Sequence, residues 1–357
     1  MVATFAVVAV VLFSTALPIS CKMTEEGIEV FEGDIQAPKI VSFSVENSNN
    51  IAITYTEKVF LSGVVVSSED NSYYKEISDV EYNDDENIAR INLEIPTVIG
   101  VDYTVTGEAA DSAGNTLSFS LPFKGYNSCP ARILLSEVRS VHATTSGTIK
   151  KAEYIEFYVL KGGNTSGLEV ISASDGTEKK YSFPALEVKE GEYITVHYRL
   201  VEDGSTCINE LEDDLTLSTA EGSCDTARDL WINNTDTRIS DSDVIILKDG
   251  GRNLILDAVL YAKEVTGSWY YKEQKTLSVE AFESGVWLGG SDKTFATNSS
   301  GITAIRTLCR QNIQKLIETY KDIEIDFSIL IPSSKDDWVV EAKGSPGEAN
   351  LLTALNN

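Results

Sequence analysis

The sequence predicts an all-β protein of two tandem β-sandwiches, the second larger and carrying a partly helical insertion. Three observations predict it. Short runs rich in β-branched and aromatic residues recur along the chain, each bounded by Gly, Asp, Asn or Ser. From Ala37 onward apolar and polar residues alternate with the period of a half-buried strand. Helical spacing enters at Leu308, Ile313, Leu316, Ile317 and Tyr320, inside a stretch that interrupts the strands.

The chain has 357 residues, which accommodates two or three domains with cores of normal size. Its formal charge is −26, and the acids are spread along the chain rather than gathered in a tail. Such a surface repels phosphate backbones, so no direct nucleic-acid partner is expected; solubility is the plain reading of the charge. A hydrophobic content of 42% is ordinary for a globular protein.

Val2 to Leu17 is almost wholly apolar and leads through Pro18, Ile19 and Ser20 into Cys21. Residues 1–20 therefore read as a secretory signal peptide, too short for a spanning helix. Leu17-Pro18-Ile19-Ser20-Cys21 resembles a relaxed lipobox, which implies acylation of the Cys21 thiol and membrane attachment through the N-terminal lipid. The departures are Pro18 and the lack of Lys or Arg before the apolar run; the alternative is a simple signal peptide. Residues 21–36 are polar and turn-rich, as a tether should be. The other cysteines number four, which suits disulfides in an exported protein. Cys207–Cys224 pairing would pin the acidic loop Glu210–Glu221 at a gain of about 3 kcal/mol, leaving Cys129 and Cys309 to join. Free thiols are the alternative.

Residues 37–124 have the size and rhythm of an immunoglobulin-like domain. Strands are expected at Ile40–Val45, Ile51–Tyr55, Ala89–Ile95, Tyr103–Gly107 and Leu117–Phe123, with turns at Asn47–Asn50, Glu69–Ser72 and Asn83–Asn87. Asp111-Ser112-Ala113-Gly114-Asn115 resembles the turn common in bacterial immunoglobulin-like repeats. Asp111 offers a calcium ligand in principle; a turn-stabilising Asx role fits its neighbours better.

Residues 125–357 form the second module. Ile133–Val138 and Glu153–Val159 are its opening strands; Tyr193–Tyr198, Val244–Leu247 and Leu254–Val259 follow. Together with Tyr181-Ser182-Phe183-Pro184, Gly191-Glu192-Tyr193, Asp336-Asp337-Trp338 and Ser345-Pro346-Gly347-Glu348-Ala349-Asn350, these runs resemble the lamin-tail domains of bacterial secreted proteins, in the family's order. The resemblance implies a β-sandwich, in a bacterial lipoprotein with an N-terminal immunoglobulin-like domain. Trp231 and Trp338 read as core anchors, and Asp243 and Asp257 as turn or capping residues rather than a catalytic pair.

The insertion at 262–327 departs from the family and is rich in aromatics. Trp269, Tyr270, Tyr271, Phe282 and Trp287 are the candidate partner-binding residues, with a packed lid over the sheet edge as the other reading. No catalytic motif is present: the only histidines, His142 and His197, lie in a Ser/Thr loop and inside a strand, and no G-x-S-x-G, Walker loop or HExxH occurs. Glu137 and Glu156 could face each other on adjacent strands, but two aligned acids among 55 do not establish hydrolytic chemistry. The expectation is a non-enzymatic, lipid-anchored cell-envelope protein, periplasmic or surface-exposed, that binds a protein or glycan. No metal or cofactor is expected. The alternatives are an accessory that positions a secreted nuclease or phosphoesterase, or its substrate, and a surface adhesin.

Overall fold

The computed structural model describes residues 34–83, 85–236, 238–321 and 329–350, and the backbone alone of two strands, Ser20–Thr24 and Gly27–Phe31. Those two strands pair antiparallel within the stretch expected as a loose tether. The signal peptide expected at 1–20 falls outside the described residues except for Ser20, as does the side chain of Cys21. Strand accounts for 41% of the protein and helix for 9%, so the all-β expectation holds. The chain divides into two compact units between Tyr126 and Asn127, inside the Gly125–Ser128 linker.

The N-terminal unit has two four-stranded antiparallel sheets. One orders Ile40–Asn47, Asn50–Tyr55, Ile88–Asn92 and Val80–Asn83; the other orders Thr116–Lys124, Asp102–Ala110, Phe60–Ser68 and Tyr74–Glu76. Each contributes one apolar face to a core built from Ile51, Ile53, Tyr55, Val66, Ile91, Tyr103, Val105 and Phe119. The other faces meet solvent, which is why Thr116–Lys124 alternates between exposed and buried along its length. Asp111 closes the preceding hairpin as an Asx residue: its carboxylate accepts the amides of Ala113 and Asn115, each at 2.8 Å, and the Asn115 side chain at 2.7 Å.

The C-terminal unit is organised around two larger sheets. A six-stranded sheet orders Ala227–Trp231, Tyr193–His197, Tyr154–Lys161, Arg132–Arg139, Leu308–Arg310 and Trp338–Val340. A five-stranded sheet orders Lys179–Ser182, Leu168–Ser172, Asp243–Asp249, Leu254–Ala262 and Thr297–Asn298. Ile133, Leu135, Val138, Ile155, Phe157 and Val159 from the first, with Val170, Val244, Ile246 and Val259 from the second, belong to one apolar core. Asp257 clasps the sheets together, accepting the Leu135 amide at 2.8 Å and the Arg310 guanidinium at 2.7 Å, with Asp257 and Arg310 both fully buried.

A bulge between Leu135 and Glu137 sets the chemistry of the outer face. Leu135 opposes Phe157 and Glu137 opposes Glu156, so Ser136 is the extra residue. Without the bulge, strict alternation over the same residues would send Glu137 inward with Leu135. With it, Leu135 and Val138 join the core while Glu137 stands directly across from Glu156.

Among the described residues, two α-helices complete this unit. Helix α1, Lys272–Glu283, buries Leu277 and Ala281 in the main core, and its Gln274 side chain donates to the Ser242 carbonyl at 2.7 Å. Helix α2 covers only Ile313–Tyr320. The helical spacing expected from Leu308 fails over its first residues, because Leu308 and Cys309 pair with Val138 and Glu137 as a strand. Sheet pairing outweighs local periodicity there.

Candidate functional site

The outer face of the six-stranded sheet is covered and has two parts. At one end Leu134, Tyr158 and Leu160 lie under Ile313, Leu316, Ile317 and Tyr320 of α2, an ordinary apolar contact. At the other end the same strands present Glu137, Arg139, Tyr154, Glu156, Thr195, His197 and Asp229, each buried to at least about nine-tenths. Polar residues at that depth persist only where hydrogen bonds replace lost water. The C-terminal segment Gly344–Asn350 and the loop around Glu210–Thr226 supply those bonds.

Glu137 and Glu156 form the centre. Glu137 accepts from the Tyr154 hydroxyl, and its other oxygen accepts the Ser345 amide at 3.1 Å and hydroxyl at 3.2 Å. Glu156 accepts the Gly347 amide at 2.6 Å. Asn350 donates to the carbonyls of Ser136 at 3.2 Å and Arg310 at 2.9 Å. Thus Ser345, Gly347 and Asn350 of one short motif each fasten to the sheet. Gly347 has φ of +75°, and a Cβ there would sit 2.5 Å from Thr226 Oγ1 and 2.9 Å from Cys224 Sγ. Only glycine fits both the left-handed backbone and that space.

Burial holds the Glu156 carboxyl well above the ordinary range, and the neighbouring Glu137 pushes it the same way. Burial, then Glu137, likewise raises the Tyr154 hydroxyl. One strand over, His197 Nε2 lies 2.6 Å from Asp229 Oδ1 and the ring stacks on Trp231 with centroids 3.8 Å apart. Burial lowers the His197 pKa against the opposing pull of Asp229, so the ring is neutral at physiological pH. Asp229 is itself held by the Cys224 amide at 2.9 Å and donates its own amide to Glu210 at 2.7 Å. The Arg139 guanidinium rests over the Tyr154 ring at 4.4 Å. Both glutamates are fully buried, so in this conformation they meet no solvent-borne substrate. What the group can do is hold a proton and hold the segment that covers it.

The other expected sites are dispersed. All four cysteines described, Cys129, Cys207, Cys224 and Cys309, are free thiols, which corrects the expected Cys207–Cys224 and Cys129–Cys309 pairings. Each sulfur has a local setting of its own. Cys309 is fully buried beside Thr307 whereas Cys129 is exposed at the linker. Cys207 Sγ accepts the Val201 amide at 3.4 Å, while Cys224 Sγ lies 2.9 Å from Thr226 Oγ1. Burial, then Glu137, raises the Cys309 thiol well above its usual range. Asp243 and Asp257 serve separate contacts: Asp243 accepts from Ser172 Oγ and the Val244 amide, and Asp257 forms the intersheet clasp. Asp34, Glu57 and Asp111 bring carboxylate oxygens within 4.8 Å of one another in the N-terminal unit, with the Asp111 oxygens already engaged by the turn.

The aromatic insertion splits in two. Trp269 and Trp287 belong to the core, Trp287 with no exposure at all, which corrects their standing as surface contacts. Their indoles are a large apolar burial. Tyr271 is half-buried, its ring against Gly176. Tyr270 is 87% exposed, and Phe282, Leu288 and Phe295 are exposed beside it in sequence. The sequence pointed to the right segment without separating core indoles from exposed rings. It presents the Glu137–Glu156 alignment without its cover; the one signal of that cover is the terminal Ser345–Asn350 motif, which reads in the sequence only as the end of the domain.

Comparison with known proteins gives a partial placement. An uncharacterized protein of Treponema pallidum (strain Nichols) is 31% identical over 198 residues, covering 53% of this chain and 48% of that one. The chain thus spans about half the length of that relative. Among solved structures, the N-terminal part of the bacterial S-layer protein SbsC aligns with a TM-score of 0.25 at 17% identity, over 63% of this chain and 43% of that one. A DUF4876 family protein from Bacteroides thetaiotaomicron VPI-5482 aligns with a TM-score of 0.24 at 13% identity, over 62% and 76%. Likeness at that level carries no inference of function. Residues 131–340, more than half of the chain, match the family described as the TP_1001 protein second domain, and the chain belongs to that family.

Proposed function

We propose that the protein is a non-enzymatic, lipid-anchored cell-envelope protein, a binding or scaffold module that presents its insertion to a partner. The observation that carries this reading is the division of labour in the C-terminal unit. Its richest set of titratable groups is buried under the chain's own C-terminal segment, while Tyr270, Phe282, Leu288 and Phe295 stand exposed. Exposed apolar side chains grouped in one segment favour contact with a protein or glycan surface. The order of the strand motifs from Ile133 to Asn350 supports a lamin-tail-like sandwich for this unit. The lipobox-like Leu17–Cys21 supports attachment through Cys21 and export to the envelope.

A photo-crosslinking amino acid at position 270, compared with one at exposed Ser120, tests the contact surface in intact cells. A discrete adduct at 270 alone is expected; no adduct at 270 overturns the surface assignment. Palmitate labelling tests the anchor: Cys21→Ala should lose label and leave the membrane fraction, and unchanged retention refutes lipidation. Hydrolysis of a glycan or phosphoester panel that disappears in Glu156→Gln would sink the non-enzymatic reading.

A further inference from the structure

We propose that residues 344–350 are a strap whose closure over the six-stranded sheet is gated by one proton shared within the Glu137–Glu156 pair. The strap is closed while the pair holds a single negative charge and released when both members ionise.

The geometry assigns the roles. The two glutamates are directly opposed cross-strand neighbours and fully buried. Like charges at such positions repel strongly out of water, so one of the two stays protonated. Glu137 receives three donors, from Tyr154 and from the Ser345 amide and hydroxyl, the surroundings of a carboxylate. Glu156 therefore carries the proton while one of its oxygens accepts from Gly347.

The groups facing Glu156 come from every side. Glu137 opposes it from the neighbouring strand and Tyr193 lies on the strand beyond. Tyr154 shares its strand, with the Arg139 guanidinium over the Tyr154 ring. Cys224 approaches from the covering loop, and Cys309, flanked by Glu341, from the far strand. Arg139 is the only cation among them, and it also bonds the Ala152 carbonyl at 2.7 Å. The hydrogen bonds from Gly347 and Ser136 favour an ionised Glu156, but burial and Glu137 outweigh them and hold its carboxyl protonated into an unusually high range. Because the pKa is raised in the closed state, closure is strongest below the ordinary carboxyl range and weakens as pH rises through the raised value. Release lets water reach the second charge and uncovers Glu137, Tyr154 and Glu156 together.

Amide exchange on the full chain tests this. Protection at Ser345 and Gly347, normalised to intrinsic rates, is compared at about pH 5 and about pH 9 in the wild type and in Glu156→Gln. In the wild type it should fall by up to about tenfold for each pH unit above the transition, while Ile155–Val159 in the sheet stays protected. Glu156→Gln, neutral at every pH and still able to accept from Gly347, should keep its protection. Equal loss in both proteins, or no loss in the wild type, overturns the proposal. Carbon-13 NMR of glutamate carboxyls in the wild type gives a readout independent of the variant's folding. One carboxyl should titrate well above the rest, together with the loss of protection. If every glutamate titrates in the ordinary range, there is no shared proton and the gate does not exist.

Discussion

The two units are both β-sandwiches, yet they use the outer faces of their sheets in opposite ways. In the N-terminal unit the outer faces meet water, and a strand such as Thr116–Lys124 alternates exposed with buried. In the C-terminal unit Arg132–Arg139 is buried at every residue and Ala227–Trp231 likewise. There the outer face is a second interior, apolar beneath α2 and hydrogen-bonded beneath the strap. A polar residue facing outward is therefore a solubility device in one unit and an internal contact in the other.

The sharpest way to break this comparison is to place the same charge on both outer faces. Thr195→Glu puts a carboxylate, fully buried, among Glu156, His197 and Asp229, and should cost about 4 kcal/mol or more, enough to threaten folding of that unit. All four tryptophans, at 231, 269, 287 and 338, lie in the C-terminal unit, so urea unfolding followed by tryptophan fluorescence reports on it alone. A cost below about 1 kcal/mol would mean that the outer face is wet.

Next in size is Asp243. Burial pushes its carboxyl up to about 7, against hydrogen bonds from Ser172 and Val244. The folded state holds that proton more tightly than the unfolded chain, so its contribution is full below about pH 4 and is lost as pH rises through about 7. The C-terminal unit should lose on the order of 2–4 kcal/mol over that window from this group, and Asp243→Asn should remove that share of the slope. Retention of the full slope in the variant would place the proton elsewhere.

Gly347→Ala comes third, with about 1–3 kcal/mol from a left-handed backbone and the crowding against Thr226 and Cys224. Its effect should be confined to protection of residues 344–350 and their contacts with Glu137 and Glu156, read by amide exchange. The smallest effect is the matching half of the first test: Ser120→Glu on the exposed face of Thr116–Lys124 should change stability by less than about 0.5 kcal/mol, followed by exchange in that strand.

This contrast also explains what could be read from the sequence. Ile51–Tyr55 and Leu117–Phe123 are legible because one wet face imposes alternation. Ile133–Val138 and Glu153–Val159 are legible as strands from β-branched and aromatic content, but their faces are not, since polar letters on a buried face look like surface. Helix α1 escaped because Gln274 and Ser278, two of its buried residues, are polar and blur the apolar stripe. The disulfide expectation failed on Cys309, whose place in a central strand no spacing rule reveals. The covered glutamates depend on contacts 191 and 208 residues apart, beyond any local pattern.

The bulge at Ser136 makes residue identity, more than chain length, the fragile property of the opening strand. Deleting Ser136 would restore strict alternation with Leu135 and Val138 still facing the core and Glu137 still opposite Glu156. Asn350 would lose its bond to the Ser136 carbonyl, while Ser345 kept its acceptor and Arg139 its place over Tyr154. Homologous chains that keep this arrangement should therefore hold apolar residues at 135 and 138 and an acid at 137, while the residue at 136 varies or is absent.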